Sequence, residues 1–73
     1  MGRNQHVVPQ GDGWAVKPEG IAQPTSVHRT QHAAIEGGTA AARAAQSELL
    51  VHGENGQIRM RNSYGNDPFP PRG

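Results

Sequence analysis

Large apolar side chains are scarce in this sequence and fall in short runs, so any fold it adopts is built around a thin core. They are Val7, Val8, Val16, Val27, Val51, Ile21, Ile35, Ile58, Leu49, Leu50, Met60, Trp14, Tyr64 and Phe69. The chain has 73 residues, room for one domain. A domain near this size hides only about 60% of the surface its unfolded chain exposes. Cysteine is absent, which removes disulfide staples and thiolate metal sites, the usual supports of small domains. A partner subunit would enlarge such a core, so self-association is one expectation.

Absence of cysteine also removes any sign of an oxidising compartment. The stretch Met1-Gly2-Arg3-Asn4-Gln5-His6 has no apolar segment of the signal-peptide kind. Nowhere does an apolar run approach the roughly 20 residues of a membrane span. A cytoplasmic location is therefore expected. The net charge of +1 and pI of about 8.4 fall short of the basic balance of an electrostatic nucleic-acid binder.

Local patterning predicts two hairpins around one helix. His6-Val7-Val8 reads as a short strand that Pro9 ends by withholding a ladder donor. Gln10-Gly11-Asp12-Gly13 is a turn with glycine available for positive φ. Trp14-Ala15-Val16-Lys17 alternates as a half-buried strand, Trp14 and Val16 on one side. The Pro- and Gly-rich stretch from Pro18 to Ser26 is a loop, and Val27-His28-Arg29 is placed to add a brief extended segment. Thr30 is the expected N-cap of an alanine-rich helix from Gln31 to about Gln46, whose stripe is Ala34, Gly38, Ala41 and Ala45. Gly37 and Gly38 each cost about 1 kcal/mol against alanine inside a helix. Gly38 is expected to allow close packing on the sheet, near Trp14, and Gly37 to be without consequence.

Glu48–His52 is a strand by composition, and Gly53-Glu54-Asn55-Gly56 holds the Asn-Gly pair favoured in two-residue hairpin loops. Gln57-Ile58-Arg59-Met60-Arg61 alternates with period two. Leu49, Val51, Ile58 and Met60 then share the helix-facing side with Trp14 and Val16. The expected fold is α+β: a small ββαββ domain over residues 1–65, antiparallel hairpins on one helix, followed by an extended Pro-rich tail over 66–73.

His6-Val7-Val8-Pro9, Gly13-Trp14-Ala15-Val16-Lys17 and Ser26-Val27-His28 form the first half of a pattern. Leu49-Leu50-Val51-His52-Gly53, Asn55-Gly56-Gln57-Ile58 and Ser63-Tyr64-Gly65-Asn66-Asp67-Pro68-Phe69-Pro70-Pro71 form the second. Together these segments resemble the bacterial family known as domain of unknown function 2188, over nearly the whole chain. Gly37-Gly38 departs from that family's more highly charged helices. The resemblance implies a small bacterial, cytoplasmic, single-domain protein, and it lends no activity.

The residues themselves predict no enzyme and no cofactor. His28 and His32 have the i, i+4 spacing of paired ligands, but Thr30 starts the helix between them and only Glu36 is nearby. His6 and His52 sit on strands and are expected to pair across the sheet. Ser26, Ser47 and Ser63 lack a nucleophile-elbow context. Gly11-Asp12-Gly13 precedes a strand and not a helix, so it is no phosphate loop. A chain this small is also not expected to enclose a ligand pocket of about 300 Å³ or more, and no small-molecule ligand is evident.

One helix covers one face of such a sheet and leaves the other bare. Period-two spacing puts Ala15, Lys17, Leu50, His52, Gln57, Arg59 and Arg61 on the bare face, with either Val7 or His6 and Val8. The candidate binding surface is Lys17, Leu50, His52, Arg59 and Arg61. Its expected use is contact with a protein partner or a second copy. Nucleic acid, held by Lys17, Arg59 and Arg61, is the alternative. Arg59 and Arg61 also have a simpler role, as charges that keep an edge strand from aggregating. In the tail, Tyr64 and Phe69 are expected to fold back on the core, while Pro68, Phe69, Pro70 and Pro71 would otherwise offer a linear motif.

Overall fold

A computed structural model describes residues 2–64. It has five strands and one helix: β1 Gln5–Gln10, β2 Gly13–Pro18, β3 Ser26–His28, α1 Gln31–Ala45, β4 Glu48–His52 and β5 Ile58–Ser63. The strands form one mixed sheet in the order β3-β2-β1-β4-β5. Both expected hairpins are present, and the segment around Val27 is a fifth strand pairing antiparallel to β2. The hairpins meet through β1 and β4, which run parallel with Gln5 opposite Leu49 and Val7 opposite Val51.

Local chemistry explains the boundaries. Gly11, at φ 57°, is the positive-φ residue of the β1–β2 turn, and Asp12 keeps a negative φ, as in a type II′ turn. β1 continues through Pro9 to Gln10, past the stop expected at Pro9. β4 pairs with β1 only as far as Val7, so one side of β1 has no ladder to break at Pro9. Thr30 caps α1 as expected, its Oγ1 accepting from the Ala33 N–H at 3.1 Å. At the other end Gln46 adopts φ 54° while the Gln46 and Ser47 amides donate to Arg43 and Ala42 carbonyls, a Schellman closure.

The core lies between α1 and the sheet. Val7, Val16, Leu49 and Val51 are almost wholly buried beneath Ala34 and Ala42, with Trp14, Ile35 and Tyr64 packed around them. Gly38 sits over Leu49 and Val7, not over Trp14, and the helix approaches so closely that a side chain there would collide. Gly37 is not idle, in contrast to the sequence reading. A Cβ on it would stand 3.1 Å from His28 Nε2, because β3 brings the His28 ring under that turn. Small residues on α1 let a chain with few large side chains bring its helix into close contact with the sheet.

The second hairpin departs from its expected loop. Asn55 keeps a negative φ and only Gly56 is left-handed, at φ 87°. The Gly56 N–H donates to Gly53 O and the Gly53 N–H to Gln57 O. This is a three-residue loop, a type I turn followed by a left-handed glycine. Past it the register shifts: His52 faces Ile58 but Val51 faces Met60, which leaves Arg59 as an extra residue, a β-bulge.

Candidate binding face

The side of the sheet away from α1 carries, from one edge to the other, Val27, Ala15 and Lys17, His6 and Val8, Leu50 and His52, then Ile58 and Arg61. Cross-strand register sets this grouping: Ala15 opposes Val27 and Val8, His6 opposes Lys17 and Leu50, and Leu50 opposes Arg61. Four of the five surface residues read from sequence fall on this side: Lys17, Leu50, His52 and Arg61. Leu50, however, is only 5% exposed, closed over by its neighbours on the sheet, and is no surface residue. Arg59 is not on this side. The bulge turns it to the helix side, where its guanidinium donates to Gln31 Oε1 at 3.5 Å. The same bulge moves Ile58 from its expected core position to the bare face, where it is 50% exposed. Val27, at the opposite edge, is 55% exposed. Spacing alone missed Val27 and Ile58 because the first belongs to a three-residue strand and the second depends on the bulge.

A polar row crosses the middle of this face. His6 Nδ1 lies 2.9 Å from His52 Nε2, the cross-sheet pairing expected from sequence. His6 Nε2 lies 3.1 Å from Glu19 Oε1, and Asn4 Nδ2 donates to that same oxygen at 3.3 Å. His52 Nδ1 faces the Gly56 carbonyl at 3.3 Å. A carbonyl only accepts, so His52 carries a proton on Nδ1; a carboxylate only accepts, so His6 carries one on Nε2. The His6 hydrogen bond, followed by that from Asn4, holds the Glu19 carboxyl below its ordinary value.

Other charges on the face also alternate in sign. Arg61 Nε stands 3.7 Å from Glu48 Oε1, an exposed pair of little stabilising value. His28 and His32 do not converge: His28 Nε2 is 2.8 Å from Ser26 Oγ under α1, and His32 pairs with Glu36 on the exposed side of the helix. Tyr64 packs against the core, its N–H donating to Ser47 O at 3.0 Å and its ring 5.4 Å from the Arg43 guanidinium. Pro68, Phe69, Pro70 and Pro71 lie outside the described residues. No helix among the described residues is long and apolar enough to cross a membrane.

The family model described as an uncharacterized protein conserved in bacteria, domain of unknown function 2188, matches residues 5–64, from the first residue of β1 to Tyr64. A similar relative is the uncharacterized protein YdaT of Bacillus subtilis (strain 168), 31% identical over 65 residues. That alignment takes in 89% of this chain and 43% of the relative, so the chain spans less than half of the relative's length. No solved structure matches. With the family match covering the sheet, the helix and both hairpins, the chain belongs to the bacterial family called domain of unknown function 2188.

Proposed function

We propose that this protein is a non-catalytic binding module that associates through its bare sheet face, with a second copy of the chain as the partner. The observation that carries the reading is the exposed pair Val27 and Ile58 at the two edges of that face, with half-buried Val8 between them. Ala15 and Leu50 lie on the same side but are buried and add no open surface. Apolar patches rimmed by polar groups mark association surfaces. Charges of both signs flank the patch, Lys17 and Arg61 beside Glu19 and Glu48, which suits a two-fold contact of the surface with itself. The net charge of +1 opposes such pairing only weakly. We place the protein in the cytoplasm on the composition argument given above.

Nucleic acid is the other outcome of the same experiment. It has less support, because Arg59 is on the opposite side and Arg61 already faces Glu48. Light scattering over a range of concentrations, with and without a mixed DNA and RNA pool, separates the two. A dimer that forms with concentration, ignores nucleic acid and is lost in Val27→Lys with Ile58→Lys supports the proposal. A monomer at all concentrations, or one that gains mass only with nucleic acid in a salt-sensitive manner, overturns it.

A further inference from the structure

The bulge that removes Arg59 from the bare face delivers it to a cleft of about 680 Å³ on the other side of the sheet. Trp14, Gln31 and the β4–β5 loop line it together with Arg59 and, at its rim, Ile58. Its volume falls in the range of about 300–1,000 Å³ usual for ligand sites. The cleft is open, not enclosed.

Its lining is specific. Trp14 is half-buried and presents an aromatic surface. The Arg59 stem lies across buried Gly53, where a Cβ would come within 3.0 Å of Arg59 Cδ and 3.1 Å of Cγ. Gln31 receives the guanidinium and is itself fixed by donating to His52 O at 3.3 Å. Among the described residues no carboxylate pairs with Arg59, whereas Arg61 has Glu48. Arg59 is exposed and its one contact, with Gln31 Oε1 at 3.5 Å, is long, so most of its five donors are unspent and form a fork for an oxyanion. Glu54 also lines the cleft, so a polyanion is unsuited, while a ligand with one oxyanion and one hydrogen-bond donor is matched.

We propose that this cleft binds a small planar ring compound bearing one oxyanion and an exocyclic amine. The ring lies against Trp14, the oxyanion meets Arg59 and the amine donates to Glu54. A nucleoside monophosphate and an amino-substituted aromatic carboxylate share this chemistry. The site opens on the helix side of the sheet; it shares Ile58 with the bare face, and its test reads Trp14 and Arg59 and not the oligomeric state.

The chain has one tryptophan, so a ¹⁵N-labelled sample gives a single indole N–H resonance as a reporter. Titration with AMP, 4-aminobenzoate and inorganic phosphate, each up to roughly 10 mM, tests the proposal. The expected result is a saturable shift of the Trp14 indole and Arg59 Nε–H resonances with at least one ring-bearing anion and not with phosphate alone. AMP alone, or 4-aminobenzoate alone, identifies the source of the oxyanion. Arg59→Ala is expected to weaken binding by about tenfold or more, with Gly53→Ala weakening it by displacing the same side chain. Arg43→Ala, at the far end of α1, is expected to leave it unchanged. Absence of any saturable indole shift, equal binding of inorganic phosphate, or full affinity in a folded Arg59→Ala variant would overturn it.

Discussion

Gly38 of α1 lies against Leu49 of β4 with room for a hydrogen and not for a methyl group. A Cβ on Gly38 would stand 2.8 Å from Leu49 Cδ1 and 3.1 Å from Val7 Cγ2. Leu49 and Val7 are both fully buried, so neither can retreat toward solvent. Overpacking costs about 1–3 kcal/mol, against about 1 kcal/mol regained from alanine's helix preference. Gly38→Ala is expected to lower stability by about 1 kcal/mol net. Gly37→Ala, whose methyl would meet the half-buried His28 ring at 3.1 Å and Ser26 Oγ at 3.8 Å, should change it by less than about 0.5 kcal/mol, the contact offsetting the helix preference. Urea denaturation of the two variants checks the contrast, and a stabilised Gly38→Ala would refute close packing.

The left-handed residue that ends α1 is Gln46, not glycine. A side chain in that conformation costs roughly 1 kcal/mol, and glycine's greater freedom when unfolded takes back about half. Gln46→Gly is therefore expected to stabilise the protein by about 0.5 kcal/mol, read as a higher melting temperature.

Hydrogen-bond direction in the row from Glu19 to Gly56 makes a spectroscopic prediction. The contacts with Gly56 O and Glu19 Oε1 require a proton on His52 Nδ1 and on His6 Nε2, and these are the tautomers expected. Long-range ¹⁵N–¹H correlation spectra distinguish these nitrogens. The opposite tautomer of either ring would mean that its contact in the row is not a hydrogen bond.

Acid should weaken the same region. The Glu19 carboxyl is held below its ordinary value of 4.5, first by His6 and then by Asn4. A carboxyl lowered in the folded state contributes its full stabilisation above 4.5 and loses it as pH falls through the folded value. Melting temperature should accordingly decline below pH 4.5, and Glu19→Gln should flatten that part of the curve. An identical curve for the variant would show that Glu19 carries none of this dependence.

Much of the architecture was legible because short-range chemistry controls it. Thr30, the turn glycines and the alternation around Trp14 and Val16 each act within a few residues. His6 and His52 could be matched because both stand on strands. What spacing could not reveal depends on fit between distant segments. The parallel pairing of β1 with β4 leaves no mark in either strand, and His28 reaches Gly37 only once β3 has joined the sheet. The bulge was hidden as well, since strict alternation from Gln57 to Arg61 looks regular until the three-residue loop fixes its register. One extra residue there exchanged the sides of Ile58 and Arg59, and so divided what had looked like a single basic surface.

The parallel seam between β1 and β4 also bears on how the chain reaches this structure. Each hairpin zips between near neighbours in sequence, an event of microseconds. Joining them brings Gln5 beside Leu49, and everything between must be gathered in before the seam rewards the closure. Neither hairpin has a hydrophobic interior of its own, since Val7 and Val16 come from one and Leu49 and Val51 from the other. Refolding should therefore be limited by docking of two preformed ribbons under α1, and substitutions at the seam should slow folding more than equally destabilising ones in either turn.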